Sequence, residues 1–420
     1  MQWGERNGRG GAASAGATVH GPDARGVHLV AAGSLVQEFG PAPPGSAPEE
    51  HGLDCAGATL QPGRVNAHTH AYRSLAAFGL GAQEPPPRGP REPASRRWWR
   101  MHAAHDQWSL GAAARLHVAE ALLGGTTALF DLHESSRFVS GSLDVIADAC
   151  QELGVRALLA LAVTERSGGR EEAERGLVEC RRFAICNTRP LVRAAVGLDF
   201  SQTVSDQTIR EAAALCREMR LPLHVHAGED PIEQEDAVKR GFRGPLDRLD
   251  RLGALGPGTL VAPASGLDQD EVRLARDRGT WLVQTPRAED PGGSWAGSPA
   301  ALSESPRVAL GTDGQSGGVQ EAAKVLAREA HSLGEDRTAA LQRAQAGLTL
   351  LRELCGTRVD LAPGSAADFT VSGPGGVRHV VVDGRTVVRD GSLVAQDYEV
   401  LREEARALAE RLFRRMAASA

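Results

Sequence analysis

The 420 residues carry 47 Lys plus Arg against 53 Asp plus Glu, a net charge of −6, so no basic surface invites nucleic acid or an anionic membrane. Apolar residues make up 41% and charged residues 24%, the balance of an ordinary globular chain long enough for one large or two modest domains. The start of the chain lacks the apolar core of a signal peptide, no run approaches the roughly 18 apolar residues of a membrane span, and no CxxC pair occurs, which predicts reduced thiols and a cytoplasmic location.

Residues 1–16, rich in Gly, Ala and Ser, are predicted to be disordered. Residues 17–61 hold short strand-like pieces such as Val27–Val30 and Ser34–Val36, with a loop over 41–50. From Pro62 the rhythm changes, and short apolar runs alternate with amphipathic segments. Strands are predicted at Arg64–His70, Thr126–His133, Arg156–Thr164, Leu191–Phe200, Pro222–Ala227, Thr259–Pro263, Thr280–Thr285 and Arg307–Asp313. Helices are predicted between them, among them Leu110–Gly124, Ser142–Leu153, Asp206–Met219, Pro245–Leu252, Asp268–Arg278 and Val319–Leu333.

This alternation predicts an α/β fold, a (β/α)8 TIM barrel over residues 62–350. An open doubly wound sheet would need a glycine-rich loop behind its first strand, and none is there. Beyond the barrel, Asp368–Val371, His379–Val382 and Arg385–Val388 read as strands, with Asp383-Gly384 as a hairpin turn. Residues 351–394 are expected to join 17–61 in a small β-sandwich domain assembled from both chain ends. Residues 395–420 are expected to form a C-terminal helix that docks through Leu401, Ala405, Leu408, Leu412 and Met416.

Active sites of such barrels sit at the C-terminal ends of the strands. His68 and His70, one residue apart on the first strand, project to the same side. The fifth strand ends in His224-Val225-His226-Ala227-Gly228-Glu229 and the eighth in Thr312-Asp313-Gly314. Three imidazoles and a carboxylate suffice for one divalent metal ion, zinc or iron, that still holds a water. Such an ion lowers the pKa of that water and yields a hydroxide nucleophile, whose proton Glu229 can shuttle. His224 is expected to turn away from His226 and to pack or support the shell. His133, Gln284 and Trp99 are candidates for lining a substrate site.

The segments Pro62–His70, Gly124–Asp131, His224–Asp230, Leu310–Gly314, Pro363–Val371 and Val382–Gly391 resemble the metal-dependent amidohydrolase superfamily, in its branch of cytosine/guanine-deaminase-like and chlorohydrolase-like aminohydrolases. The resemblance implies His68, His70, His226 and Asp313 as metal ligands. It also implies Glu229 as the acid/base that protonates the leaving amine, with Asp313 accepting a proton from the attacking water. Binuclear members are bridged by a carboxylated lysine on the fourth strand, whereas Lys239 and Lys324 are the only lysines here and lie elsewhere, which leaves the mononuclear type. The family further implies a small-molecule substrate and a homo-oligomer, a dimer.

Three positions depart from the family pattern. Pro263 stands where a sixth-strand histidine is expected, Gln284-Thr285-Pro286 replaces a His-Asn-Pro, and Asp199 ends the fourth strand where relatives often carry histidine. Losing a positioned group that stabilises developing charge costs on the order of 10²–10³ in rate. Two readings follow. In the first, the protein hydrolyses a C–N bond other than a peptide bond, deaminating a small nitrogen heterocycle by metal-bound hydroxide. In the second, an impaired or inactive relative keeps the fold, with or without its metal, for binding or assembly.

Overall fold

All eight apolar runs expected of a barrel form strands in the computed structural model, which describes residues 18–45, 52–80, 95–286, 299–315, 318–329 and 336–418. The stretch 1–16, expected to be disordered, lies outside the described residues. In chain order the strands are β1 (Thr18–His20), β2 (Val27–Ala32), β3 (Leu35–Pro41), β4 (Thr59–Pro62), β5 (Arg64–Thr69), β6 (Thr126–His133), β7 (Arg156–Val163), β8 (Val192–Ala194), β9 (Val196–Leu198), β10 (Leu223–His226), β11 (Thr259–Ala262), β12 (Trp281–Gln284), β13 (Val308–Leu310), β14 (Phe369–Gly373), β15 (Gly376–Val382), β16 (Arg385–Arg389) and β17 (Ser392–Leu393).

Strands β5, β6, β7, β9, β10, β11, β12 and β13 lie side by side in that order, all pairs parallel. The expected fourth strand is interrupted at Ala195, so that β8 and β9 both pair with β7. The two ends of the sheet meet where the Thr312 and Asp313 amides donate to the His68 carbonyl at 2.9 and 3.2 Å. Gly311 makes this approach possible, since a Cβ there would lie 2.7 Å from the same carbonyl oxygen. The result is a (β/α)8 barrel.

Period-two alternation divides the strand residues between two cores. Phe130, Leu158, Leu260 and Val283 fall in one. Leu129, Leu159, Val225 and Leu282 fall in the other, with Leu110, Ile146 and Ile209 from the surrounding helices. The expected helices are present as Gln107–Leu123, Ser142–Leu153, Asp206–Met219, Pro245–Arg251, Gln269–Asp277 and Gly318–Glu329. Four more, not singled out in the sequence, are at Ser95–Ala104, Gly169–Cys186, Pro231–Lys239 and Arg337–Cys355, and the last runs through the barrel boundary expected at 350. Among the described residues no helix is long and apolar enough to cross a membrane.

The chain ends build two antiparallel sheets, β1-β2-β3 and β17-β16-β15-β14-β4. Strand β4 pairs with β14, so the larger sheet draws on both ends. Leu29, Val36, Leu60, Phe369 and Val381 pack in a core common to the two sheets. The Asp383-Gly384 hairpin forms with φ of 53° and 73°, and a side chain at Gly384 would collide with the Gly33 carbonyl. Arg156, at the start of β7, ties barrel to sheet through Asp368 at 2.6 Å and Asp383 at 2.9 Å. The helix Tyr398–Ala418 packs through Ala405, Ala409, Leu412, Phe413 and Met416 against Met101 and Leu116.

Candidate metal centre

His68 and His70 project from the end of β5, and His226 from the end of β10, with all three rings fully buried. Their ligand nitrogens lie within 4.8 Å of one another. Asp313 Oδ1 lies 3.1 Å from His70 Nε2 and 3.5 Å from His68 Nε2. Asp313 reaches inward from a left-handed backbone conformation with φ of 52°, one that aspartate tolerates better than most residues.

The opposite edges of the rings are held. His70 Nδ1 lies 2.7 Å from the Leu132 carbonyl, and His226 Nδ1 lies 3.4 Å from Asp199 Oδ1. Both partners accept only, so each Nδ1 is the donor and each Nε2 carries a lone pair. Those two Nε2 atoms face each other at 3.3 Å. Among the described residues, His68 Nε2 and Asp313 Oδ1 are buried and have no hydrogen-bond partner. Lone pairs and a carboxylate oxygen crowded together repel unless a cation lies among them, so the donor set fits a divalent ion.

Burial lowers the His68 pKa to about 3 and, with Arg73, depresses that of His70, keeping both in the neutral form a metal requires. Burial pushes the Asp313 carboxyl upward, but the Arg73 guanidinium on Oδ2 outweighs it and holds the group well below its usual range. Glu229, on the loop behind β10, behaves in the opposite way: burial and the charge of Asp313 raise its carboxyl well above the ordinary value. The two carboxyl groups thus have their proton affinities driven apart, Asp313 towards the charged form a ligand needs and Glu229 towards the protonated form of an acid.

His224 departs from the expected orientation but keeps the expected supporting place. Two residues from His226 on one strand, it shares the inward face, and its Nε2 lies 2.9 Å from His68 Nδ1, supporting that ligand from behind. Trp99 stacks over the Arg166 guanidinium at 4.0 Å. His133 pairs across the ladder with Leu161 of the helix-facing core and packs edge-on to Tyr72 at 6.2 Å, and among the described residues neither ring nitrogen has a hydrogen-bond partner. Gln284 stands apart, accepting a hydrogen bond from Arg343 on the helix Arg337–Cys355. Pro263 directly follows Ala262, the register partner of His226, so the side chain missing there is missing beside the ligand strand.

Sequence reasoning did not anticipate the buried charges around this centre. Arg73, from the 3-10 turn Ala71–Phe78 behind β5, lies 2.9 Å from Asp313 Oδ2 and 3.6 Å from Glu134, with Trp98 over its guanidinium at 4.7 Å. Glu134 receives the Tyr72 hydroxyl at 2.8 Å and faces Arg166 at 3.6 Å. Arg166 binds Asp199 at 2.8 Å and donates to His102 Nε2 at 2.8 Å. The available signal was modest: arginines and tryptophans in the segments immediately behind strand ends.

Residues 59–387 match the model of the amidohydrolase family. The chain is 26% identical over 388 residues to a 5'-deoxyadenosine deaminase of Methanopyrus kandleri, covering 84% of this chain and 86% of that protein. It is 28% identical over 397 residues to a 5-methylthioadenosine/S-adenosylhomocysteine deaminase of Haloarcula marismortui, covering 86% and 88%. Among solved structures, an adenosine deaminase from Xanthomonas campestris with bound zinc superposes with a TM-score of 0.74 at 21% identity, covering 92% of this chain and 94% of that one.

Proposed function

Because the chain belongs to the amidohydrolase family, we propose that it is a single-metal hydrolase of C–N bonds other than peptide bonds, and that it deaminates a small nitrogen heterocycle. The observation that carries this reading is the convergence of the His68, His70 and His226 ligand nitrogens, with Asp313 Oδ1 beside the first two and, among the described residues, no donor to His68 Nε2 or Asp313 Oδ1. Three imidazoles with one carboxylate suit zinc ahead of iron. The archaeal relatives are named for deaminating 5'-deoxyadenosine and 5-methylthioadenosine or S-adenosylhomocysteine, so 6-aminopurine nucleosides are the substrates to try first.

A divalent ion held here lowers the proton affinity of water towards neutrality. The chain's own residues move the protons. Glu229, whose proton is held by burial and by Asp313, gives it to the ring nitrogen as the water oxygen adds to carbon, then takes the second proton of that oxygen and passes it to the departing amino nitrogen. That nitrogen leaves as ammonia, and the water oxygen remains on carbon as the new carbonyl. The sequence reading gave Asp313 a share of the proton transfer. The Arg73 clamp on its Oδ2 argues for a ligand role alone, and Pro263 offers no side-chain donor, so both proton steps fall to Glu229. The four-donor shell and this acid favour a working hydrolase over an inactive relative.

Metal analysis of the purified protein, paired with an ammonia-release screen over purine nucleosides, free purines and pyrimidines, tests the reading. One zinc per chain and release from at least one amino-heterocycle are expected. Stoichiometric zinc without release from any of them would sink deamination, and a metal-free protein unable to take up zinc would sink the metal site.

A further inference from the structure

Of the three histidine ligands, His226 alone is backed by a carboxylate among the described residues. His70 leans on a main-chain carbonyl and His68 on another imidazole. Asp199 and its neighbour Phe200 grip His226 on two sides. Asp199 Oδ1 takes the ring edge at 3.4 Å, and the Phe200 ring stacks on its face with centroids 4.6 Å apart and planes 21° from parallel. Asp199 is only 1% exposed, so its charge needs compensation inside the protein. Arg166 provides it at 2.8 Å on Oδ2, where the Thr203 hydroxyl also donates at 3.2 Å. Arg166 is in turn fixed by the Trp99 ring, His102 Nε2 and Glu134.

We propose that Asp199 is a positioning residue for the metal centre, and that Arg166 holds it in that role. Its carboxylate keeps the His226 proton on Nδ1 and the Nε2 lone pair turned towards His70 and Asp313. It also adds electron density to the ring, which strengthens the nitrogen as a ligand. The proposal rests on the metal reading given above. The same charged belt continues from Arg166 through Glu134 and Arg73 to Asp313, so ligands on β10 and behind β13 are supported from one network. A histidine at position 199 could donate or accept at His226, but it could not carry the negative charge that the Arg166 guanidinium faces.

The test is zinc affinity, measured by chelator competition on apo protein, with the visible absorption of the cobalt(II)-substituted protein as a second reading. Asp199→Asn offers a neutral amide that cannot satisfy both His226 and Arg166 as the carboxylate does. It should weaken zinc binding by about 10–100-fold and change the cobalt(II) bands. Arg166→Met acts on Asp199 from its other side and should shift both readings in the same direction, which keeps the test open if Asp199→Asn fails to fold. Ile209→Ala, in the helix-facing core, lowers stability without touching the site and should bind zinc as the native protein does. Native zinc affinity and native cobalt(II) bands in the folded variants would overturn the proposal alone. Failure of the native protein to bind zinc would overturn it together with the reading beneath it.

Discussion

Arg73 Nη1 lies 2.9 Å from Asp313 Oδ2, so one oxygen of this ligand is spent on a guanidinium while the other faces the imidazoles. Arg73 is 7% exposed and also faces Glu134, so it compensates two buried carboxylates at once. Removing one partner of a buried ion pair leaves an uncompensated charge, at a cost of about 3–5 kcal/mol. Arg73→Met is expected to lose stability on that scale in urea unfolding of the apo protein. Arg73→Lys, which restores the charge but not the fork, should recover part of it. A loss below about 1 kcal/mol, the range of surface pairs, would show that the clamp contributes little.

Glu229 is the group to which both proton steps are assigned. Glu229→Gln keeps the size of the side chain and removes its proton traffic. Turnover should fall by about 10²–10⁴ while one zinc per chain is retained. Retained activity would remove Glu229 from the mechanism. Loss of zinc together with activity would instead make it part of the metal shell.

The parts legible in the sequence were those written in local periodicity. Short apolar runs marked every barrel strand because both faces of a parallel strand are covered. Period two placed His68 and His70 on one face, and the same rule, correctly applied, would have placed His224 beside His226. The belt of Arg73, Glu134, Arg166 and Asp199 was not legible. Its members come from the ends of four strands, and only barrel closure brings them together. His133 shows the same limit: its place at a strand end suggested the pocket, but its pairing with Leu161 puts it on the outward face. Helices not singled out in the sequence, such as Gly169–Cys186, are rich in charge, which weakens the apolar stripe by which a helix is read.

If His68, His70 and His226 hold the ion, zinc binds the folded chain and not the unfolded one. Free zinc at about 100 times its dissociation constant then adds about 2.7 kcal/mol of stability, which raises the unfolding midpoint. The native protein should show this shift, and His226→Ala should lose most of it. Equal shifts in both proteins would place zinc binding somewhere other than this centre.

Buried titratable groups give the apo protein a stability maximum near neutrality. Burial lowers His105, His117 and His133 to about 3, 4 and 3, so between those values and 6.5 the unfolded chain binds more protons than the folded one. Stability therefore rises with pH up to about 6.5 and is lost as pH falls below it. Burial has the opposite consequence for Glu233, raised to about 8, and for Glu271, raised to about 7. Each holds a proton in the folded state that the unfolded chain releases above 4.5, so each withdraws stability as pH rises towards its folded value. Below 6.5 the histidines oppose and exceed this effect, whereas between 6.5 and 8 the acids act alone. The slope there is about −1.4 kcal/mol per pH unit for each proton held. Glu233 accepts the backbone amides of Gly228, Glu229 and Asp230, and the carbonyl of Gln can still accept from them. Urea unfolding of the apo protein across pH 5–8.5 should therefore show a dome, with the alkaline side flattened by about one proton in Glu233→Gln. Parallel alkaline slopes in the two proteins would mean that Glu233 is already ionised at neutral pH and that the three amides stabilise its charge.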